Sequence, residues 1–238
     1  MGSSQPAQNN THQERDNNMT AWSYSSLSTF KQCPKKYYHL KVAKDVKDKG
    51  SSAMYYGNEV HKAAELYIKE ATPIPPKFKF IEKSLNSLRN INGEKHCEIR
   101  FGLAKEDGDY SPTGFFAKDV WWRGIADLLI VNEDKAYLVD YKTGKNAKYA
   151  DTKQLDLLAG ATFTHYPEVK TIKSALAYVV SNEFIHKEHT SNMRKSYLTV
   201  FDDELERLDV AEQTEVWNAV DGPLCAYCPV TKCEHNRK

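Results

Sequence analysis

The spacing of apolar positions changes along the chain and divides it into blocks. From Ser25, the stretch SSLSTFKQCPKKYYHLKV reads as a short helix capped by Ser25 and halted near Cys33 by Pro34, followed by a second, aromatic-rich turn. Between Tyr55 and Glu70, Val60, Ala64, Tyr67 and Ile68 form one helical stripe with His61 beside it, and the run Thr72-Pro-Ile-Pro-Pro ends that helix. Phe78, Ile81, Leu85 and Leu88 predict another amphipathic helix ending near Asn92-Gly93. His96 to Ala104, Phe115 to Val131 and Ala136 to Lys142 then alternate or run apolar, separated by the turn-rich EDGDYSPTG and NEDK, which predicts a three-stranded meander. Helical spacing returns with Leu155, Leu158, Ala159 and Thr162, and SALAYVV reads as a buried strand. A last helix is expected from Asp202 and Asp203, whose carboxylates suit a helix N-terminus, through Leu205, Leu208, Val216 and Trp217. The fold class expected is α/β.

Composition narrows the picture. The chain has 238 residues, 40% of them hydrophobic and 27% charged, with 33 Lys+Arg against 32 Asp+Glu. This suits one soluble domain spanning 20–238, and it leaves nucleic-acid binding to local basic segments. Residues 1–19 contain almost nothing apolar and are expected to be a disordered leader or a tag. No apolar run approaches the roughly 20 residues that span a bilayer, so a cytoplasmic, intracellular protein without membrane contact is expected. In that compartment clustered cysteines more often mean a metal than a disulfide.

The candidate chemistry sits on the strands. In GIADLLIVNEDKAYLVDYKTGK, Asp127 lies within one apolar strand, and Asp140 and Lys142 project from one face at the end of the next. Burying carboxylates among Leu128, Leu129, Ile130, Leu138 and Val139 costs several kcal/mol unless compensated. A divalent cation compensates two at once, so Asp127 and Asp140 are candidate ligands for Mg²⁺ or Mn²⁺, with Lys142 placed to orient water or stabilise phosphate charge. Glu98 in CEIRFGL is a candidate further oxygen ligand, His61 in GNEVHKAAEL a candidate metal or phosphate contact, and Gln154 a candidate partner for phosphate or water. Seven lysines fall between Lys31 and Lys49. Within this segment Lys35, Lys36, Tyr37 and Tyr38, and elsewhere Trp121 and Trp122, are candidate phosphate and base contacts for DNA. No G-x-x-x-x-G-K-[ST] occurs, so any helicase acting with this protein is a separate chain.

Taken together, SLSTFKQCPKKYY, GNEVHKAAE, CEIRFGL, RGIADLLIV, LVDYKTGK and KQLDLLAGA resemble the successive motifs of the PD-(D/E)XK nuclease superfamily in its RecB-like branch. That branch includes the nuclease domains of RecB and AddB and the CRISPR-associated RecB-type exonucleases. The resemblance runs from Ser25 to Cys233 and implies a restriction-endonuclease-like core of meander, helix and further strand, flanked by N- and C-terminal helices joined by a metal cluster. It implies a Mg²⁺- or Mn²⁺-dependent deoxyribonuclease, an exonuclease on single strands or DNA ends. The alternative is a non-catalytic, cluster-stabilised DNA-binding or assembly subunit. By the same likeness His61, Glu98, Asp127, Asp140, Lys142 and Gln154 match active-site positions, and the Tyr141 backbone carbonyl joins His61, Asp127 and Asp140 around the metal. Two positions depart from the pattern: Leu158 stands where many relatives have tyrosine, and Ala126 stands where the motif's proline is usual. Partners compatible with such a chain include a separate helicase or a recombination or CRISPR-adaptation protein, and phage DNA processing is another setting.

The terminal run LCAYCPVTKCEHNRK places Cys225, Cys228 and Cys233 within nine positions, while Cys33 and Cys97 stand far upstream. Three thiols need a fourth ligand for a closed metal site. The resemblance implies that Cys33 supplies it and that the group is a [4Fe-4S] cluster. Zinc on four thiolates, or on three with His235, is the competing arrangement, and unligated or disulfide-bonded cysteines are a third. Cys97 reads as a small buried apolar residue.

Overall fold

The computed structural model describes residues 21–144, 147 and 150–237, so the leader expected at residues 1–19 lies outside the described residues. A six-stranded sheet carries the fold, built from β1 (Glu94–Glu106), β2 (Asp109–Thr113), β3 (Trp122–Asn132), β4 (Lys135–Lys142), β5 (Thr171–Tyr178) and β6 (Glu183–Thr190). Its order is β2-β1-β3-β4-β5-β6, antiparallel throughout except for the parallel pair β4 and β5. The helix α5 (Lys153–His165) makes the crossover that a parallel pair requires.

Helices cover both faces. On one, α3 (Ser52–Glu70), a 3₁₀ segment (Pro76–Ile81) and α4 (Glu82–Arg89) bury Val60, Ala64, Ile68, Phe78, Ile81 and Leu85 against Leu128, Ile130, Val139 and Tyr141. On the other, α5 packs with α1 (Tyr24–Gln32), α6 (Arg194–Leu198) and α7 (Asp202–Thr214) over Phe101, Leu103, Trp122, Ala126 and Leu129. Close packing of α5 on α6 depends on Gly160, where an added Cβ would meet Leu198 Cδ2 at 2.7 Å. Between α1 and α3, a four-residue helix α2 (Pro34–Tyr37) runs into a π-helical turn (Tyr38–Val42). No helix among the described residues is long and apolar enough to cross a membrane.

Several expectations need correction. The meander gains a strand, because EDGDYSPTG forms a turn and then edge strand β2, paired through Gly102↔Thr113 to Glu106↔Asp109. Residues 115–120 form the loop that returns to β3, not its first half. α1 starts earlier, with Ser23 as N-cap in a reciprocal box with Ser26. The last helix stops at Thr214, where Glu215 takes a left-handed φ of 55°, and Trp217 turns back to stack on Tyr37 at 5.9 Å. Trp121 and Trp122 are buried, in edge contact with Trp22 at 5.3 and 6.4 Å, and so offer no free face to a base.

A buried polar group sits beneath the far edge of the sheet. His189 Nε2 lies 2.8 Å from Ser174 Oγ, its Nδ1 is 3.5 Å from Asp156 Oδ1, and Lys187 Nζ lies 2.6 Å from Asp156 Oδ2. Tyr197 closes over the imidazole at 5.0 Å. Burial holds the His189 pKa down from 6.5 to about 4, against the pull of Asp156 and with Lys187 adding to the depression. Between those values the unfolded chain binds the proton that the folded chain refuses, so stability falls as pH drops through that window. From pH 7 to pH 5 this group should remove about 2 kcal/mol. In urea melts the wild type should lose about that much more stability between the two pH values than His189→Asn does, since the raised Asp140, Glu98 and His61 groups are common to both proteins.

Candidate active site

The site lies where the regular sheet fails. In a uniform strand Ala126 and Leu128 share a face, yet Ala126 packs with the α5 side and Leu128 with the α3 side. In β1 the same switch separates Ile99 from Cys97. The changeover falls on Glu98 and Asp127, the one opposed pair missing from the β1–β3 ladder, which runs Cys97↔Leu128 and then Ile99↔Ala126. Glu98 holds φ 51°, a conformation that costs a non-glycine residue about 1–3 kcal/mol. Pairing of β3 with β4 also ends at Leu128↔Val139, so Asp127 and Asp140 stand just past the last rung.

Asp127 is pinned from two sides. Its Oδ2 accepts the Tyr141 N–H at 2.6 Å, and its Oδ1 lies 3.1 Å from His61 Nδ1 on α3. His61 also meets the Tyr141 ring edge-on at 5.8 Å. One ligand atom each from His61, Glu98 and Asp127 fall within 4.8 Å of one another. Asp140 lies outside that trio and belongs to a ring of its own. Its Oδ1 accepts from Gln154 Nε2 at 2.7 Å, its Oδ2 faces Lys142 Nζ at 2.7 Å, and Lys142 donates to Gln154 Oε1 at 2.9 Å. Gln154, on the first turn of α5, thus fixes carboxylate and ammonium together. Leu158, one turn on, is buried in the core, as is Ala126.

Charge is held here against desolvation. Burial raises the Asp140 carboxyl above its ordinary range, with Lys142 opposing and Asp127 reinforcing the shift. Glu98 is raised by burial and then by Asp127. For His61 burial works downward, and Asp127, Asp140 and Glu98 together outweigh it, so its pKa is raised. The buried Asp140 Oδ2 receives no well-directed hydrogen bond despite the nearby ammonium. Raised carboxyl pKa values and an under-satisfied carboxylate oxygen are what a cluster of oxygen ligands shows when its own residues supply too little positive charge.

The other predicted contacts distribute differently. Tyr37 is buried, with Phe30 edge-on at 5.7 Å and Trp217 stacked at 5.9 Å, so its ring packs the interior. Lys35 Nζ pairs with Glu234 at 2.5 Å and Lys36 Nζ donates to Gln32 at 2.9 Å. Cys33, Cys225, Cys228, Cys233 and His235 line one cavity of about 210 Å³, and all five cysteines are free thiols. The Lys35 N–H donates to Asn218 O at 3.2 Å, which ties the segment after Cys33 to the tail. Cys97 is half-buried beneath α3, and burial pushes its thiol up to about 11. Sequence reasoning overlooked Arg100 and Arg123, although the period of two from Glu98 and Asp127 marks both.

The family model of the PD-(D/E)XK nuclease superfamily matches residues 21–233. Among solved structures, a candidate exonuclease of Eubacterium rectale aligns at 16% identity and a TM-score of 0.52, over 100% of this chain and 95% of that one. At that identity the likeness is one of fold. The protein SSO0001 aligns at 12% identity and a TM-score of 0.43, over 96% of this chain and 93% of the other. No curated protein matches the sequence.

The trio predicts where a divalent ion binds. In a calorimetric titration with Mn²⁺, Asp127→Ala should weaken binding at least ~10-fold if the trio holds the ion, since the variant would lack one hard oxygen ligand. Asp109→Ala, an exposed acid on β2, should leave it unchanged; equal affinity in all three proteins would remove the trio as a metal site.

Proposed function

The chain belongs to the PD-(D/E)XK nuclease superfamily, and from that premise we propose that it is a Mg²⁺- or Mn²⁺-dependent DNA nuclease, acting as an exonuclease on single strands or DNA ends. The observation that carries this reading is the adjacency of the His61–Glu98–Asp127 trio to the Asp140–Lys142–Gln154 ring at the interrupted ladder. His61, Asp127, Asp140 and the Tyr141 carbonyl would hold the ion, with Glu98 as a further oxygen. When bound, Mg²⁺ or Mn²⁺ supplies a water of lowered pKa and neutralises charge on the phosphate.

The protein's own part is positioning. Lys142, with its side chain one-third exposed, lies between Asp140 and Gln154 and can donate to a phosphate oxygen or to the attacking water. Gln154 keeps Asp140 turned toward that point. His61 and the Tyr141 N–H fix the Asp127 rotamer, so the ligand oxygens need no rearrangement. Partners in this reading are DNA and, for strand separation, a separate helicase. End-labelled single- and double-stranded DNA with Mg²⁺ or Mn²⁺ tests it. Asp140→Asn and Lys142→Met should each lower kcat by about 10²–10³. A wild-type protein as inert as both variants under every condition would sink the enzyme and favour the non-catalytic DNA-binding subunit.

We further propose that the cysteine cavity holds a structural iron-sulfur cluster. The reading is supported by Cys33, from before the sheet, and Cys225, Cys228 and Cys233, from the tail, lining one cavity of about 210 Å³. The anaerobically purified protein should be brown and contain iron and sulfide; a colourless protein with stoichiometric zinc overturns the cluster. Cys33→Ser should lose the colour and destabilise the fold by up to ~4 kcal/mol, through loss of a link between distant parts of the chain.

A further inference from the structure

Beyond the metal-binding trio, one side of the sheet continues as a surface that the catalytic reading does not use. Asp127, Ile125 and Arg123 alternate along β3, and Arg100 of β1 is the register partner of Ile125. At about 3.3 Å per residue these positions lie roughly 7 and 13 Å from Asp127. The helix α3 covers β3 only beyond Asp127, through Leu128 and Ile130, and leaves Ile125 40% exposed. Over this stretch leans the β2–β3 loop, with Phe116 76% exposed at its tip. Turn bonds from Ala117 N–H to Gly114 O at 3.0 Å and from Thr113 to Asp119 at 2.9 Å hold the loop in shape.

The chemistry of the patch is specific. Arg100 lies 5.6 and 6.0 Å from the Phe115 and Phe116 rings, and Arg123 lies 5.7 Å from Phe115. Among the described residues neither guanidinium has a carboxylate within 4.0 Å. Arg123 Nε is buried and has no acceptor. Phe115, Arg123 and Ile125 also line a cavity of about 340 Å³, which Tyr24 and Ser25 of α1 and Gln154 complete. The same Gln154 hydrogen-bonds Asp140. An exposed aromatic face beside two unpaired guanidinium groups, continuous with the reacting site, matches a nucleobase together with its phosphate.

Resting on the nuclease reading, we propose that Phe116, Arg100 and Arg123 form a subsite for the nucleotide next to the reacting phosphate, with Phe116 stacking on its base and the arginines holding its backbone. The occupant is single-stranded nucleic acid, because in a duplex the base faces are stacked on their neighbours.

Two measurements on one labelled oligodeoxynucleotide test this: fluorescence anisotropy without divalent metal, and cleavage with Mn²⁺, each repeated with an abasic nucleotide walked along the strand. Phe116→Ala should bind the intact strand roughly 10-fold more weakly. One abasic position should cost the wild type a similar factor and cost this variant nothing more. Phe116→Trp should restore binding, and Arg100→Ala should lower the salt slope of log Kd by about one. Since the ring is exposed, Phe116→Ala should melt with the wild type. Cleavage by the wild type with unchanged binding by Phe116→Ala, or with a loss that no abasic position abolishes, overturns the subsite and leaves the nuclease reading intact. A wild type that neither binds nor cleaves DNA overturns both, whereas binding without cleavage overturns the nuclease alone and leaves the subsite to the anisotropy result.

Discussion

The structure turns on a single interruption of the sheet's ladder, where the side chains change face and the register is kept. β1 and β3 pair on both sides of a skipped Glu98–Asp127 pair, whereas β3 and β4 pair only as far as Leu128↔Val139, just before Asp127 and Asp140. A continuous sheet would direct Ala126 and Leu128 to one face and leave no place for carboxylates except inside an apolar layer. The phase change gives each helical layer its own apolar residues and places the acids on the seam between them. The backbone group freed by the break is not abandoned, since the Tyr141 N–H is taken by Asp127. Strain at Glu98, ladder loss at Asp127 and carboxylate burial at Asp140 are one event seen on three strands.

The helices read most naturally as answers to that break. α3 brings His61 to Oδ1 of Asp127, and α5 brings Gln154 to Oδ1 of Asp140. The crossover between parallel β4 and β5 makes the second delivery unavoidable, because α5 must begin beside the end of β4. Lys142 and Gln154 are therefore neighbours through topology as much as through side-chain preference.

Much of this was legible in the chain, and the misses have physical causes. The helical stripes around Val60 and Leu155 and the apolar runs of β3, β4 and β5 carry enough buried surface to declare themselves. β6, EFIHKEHT, is an edge strand full of charge, and β2 contains Pro112; both are marks of edges, which sequence patterning confuses with loops. The cap of α1 was ambiguous because Ser23, Ser25, Ser26 and Ser28 all offer a hydroxyl, and only the reciprocal bond to Ser26 selects Ser23. Among candidate site residues, positions whose chemistry depends on a strand's face were readable. The aromatic ones were not, because Tyr37, Trp121 and Trp122 look the same in sequence whether they meet solvent or, as here, other buried rings: Trp22 for the two tryptophans, Phe30 and Trp217 for Tyr37.

The tie between Lys35 and Asn218 sets an order of events during synthesis. Leu27 and Phe30 of α1 have their packing partners at Trp122, on α7 and around Trp217, all encoded far downstream. At roughly 5–20 residues per second, α1 must wait some ~10–40 s after leaving the ribosome before the last of those partners emerges. Through that interval the sheet can assemble and offer Trp122 to α1, while the cover that α7 and Trp217 give Phe30 and its neighbours is still missing. α1 thus precedes every strand of the sheet in the chain, yet its cover is complete only once the cysteine-bearing tail begins to emerge.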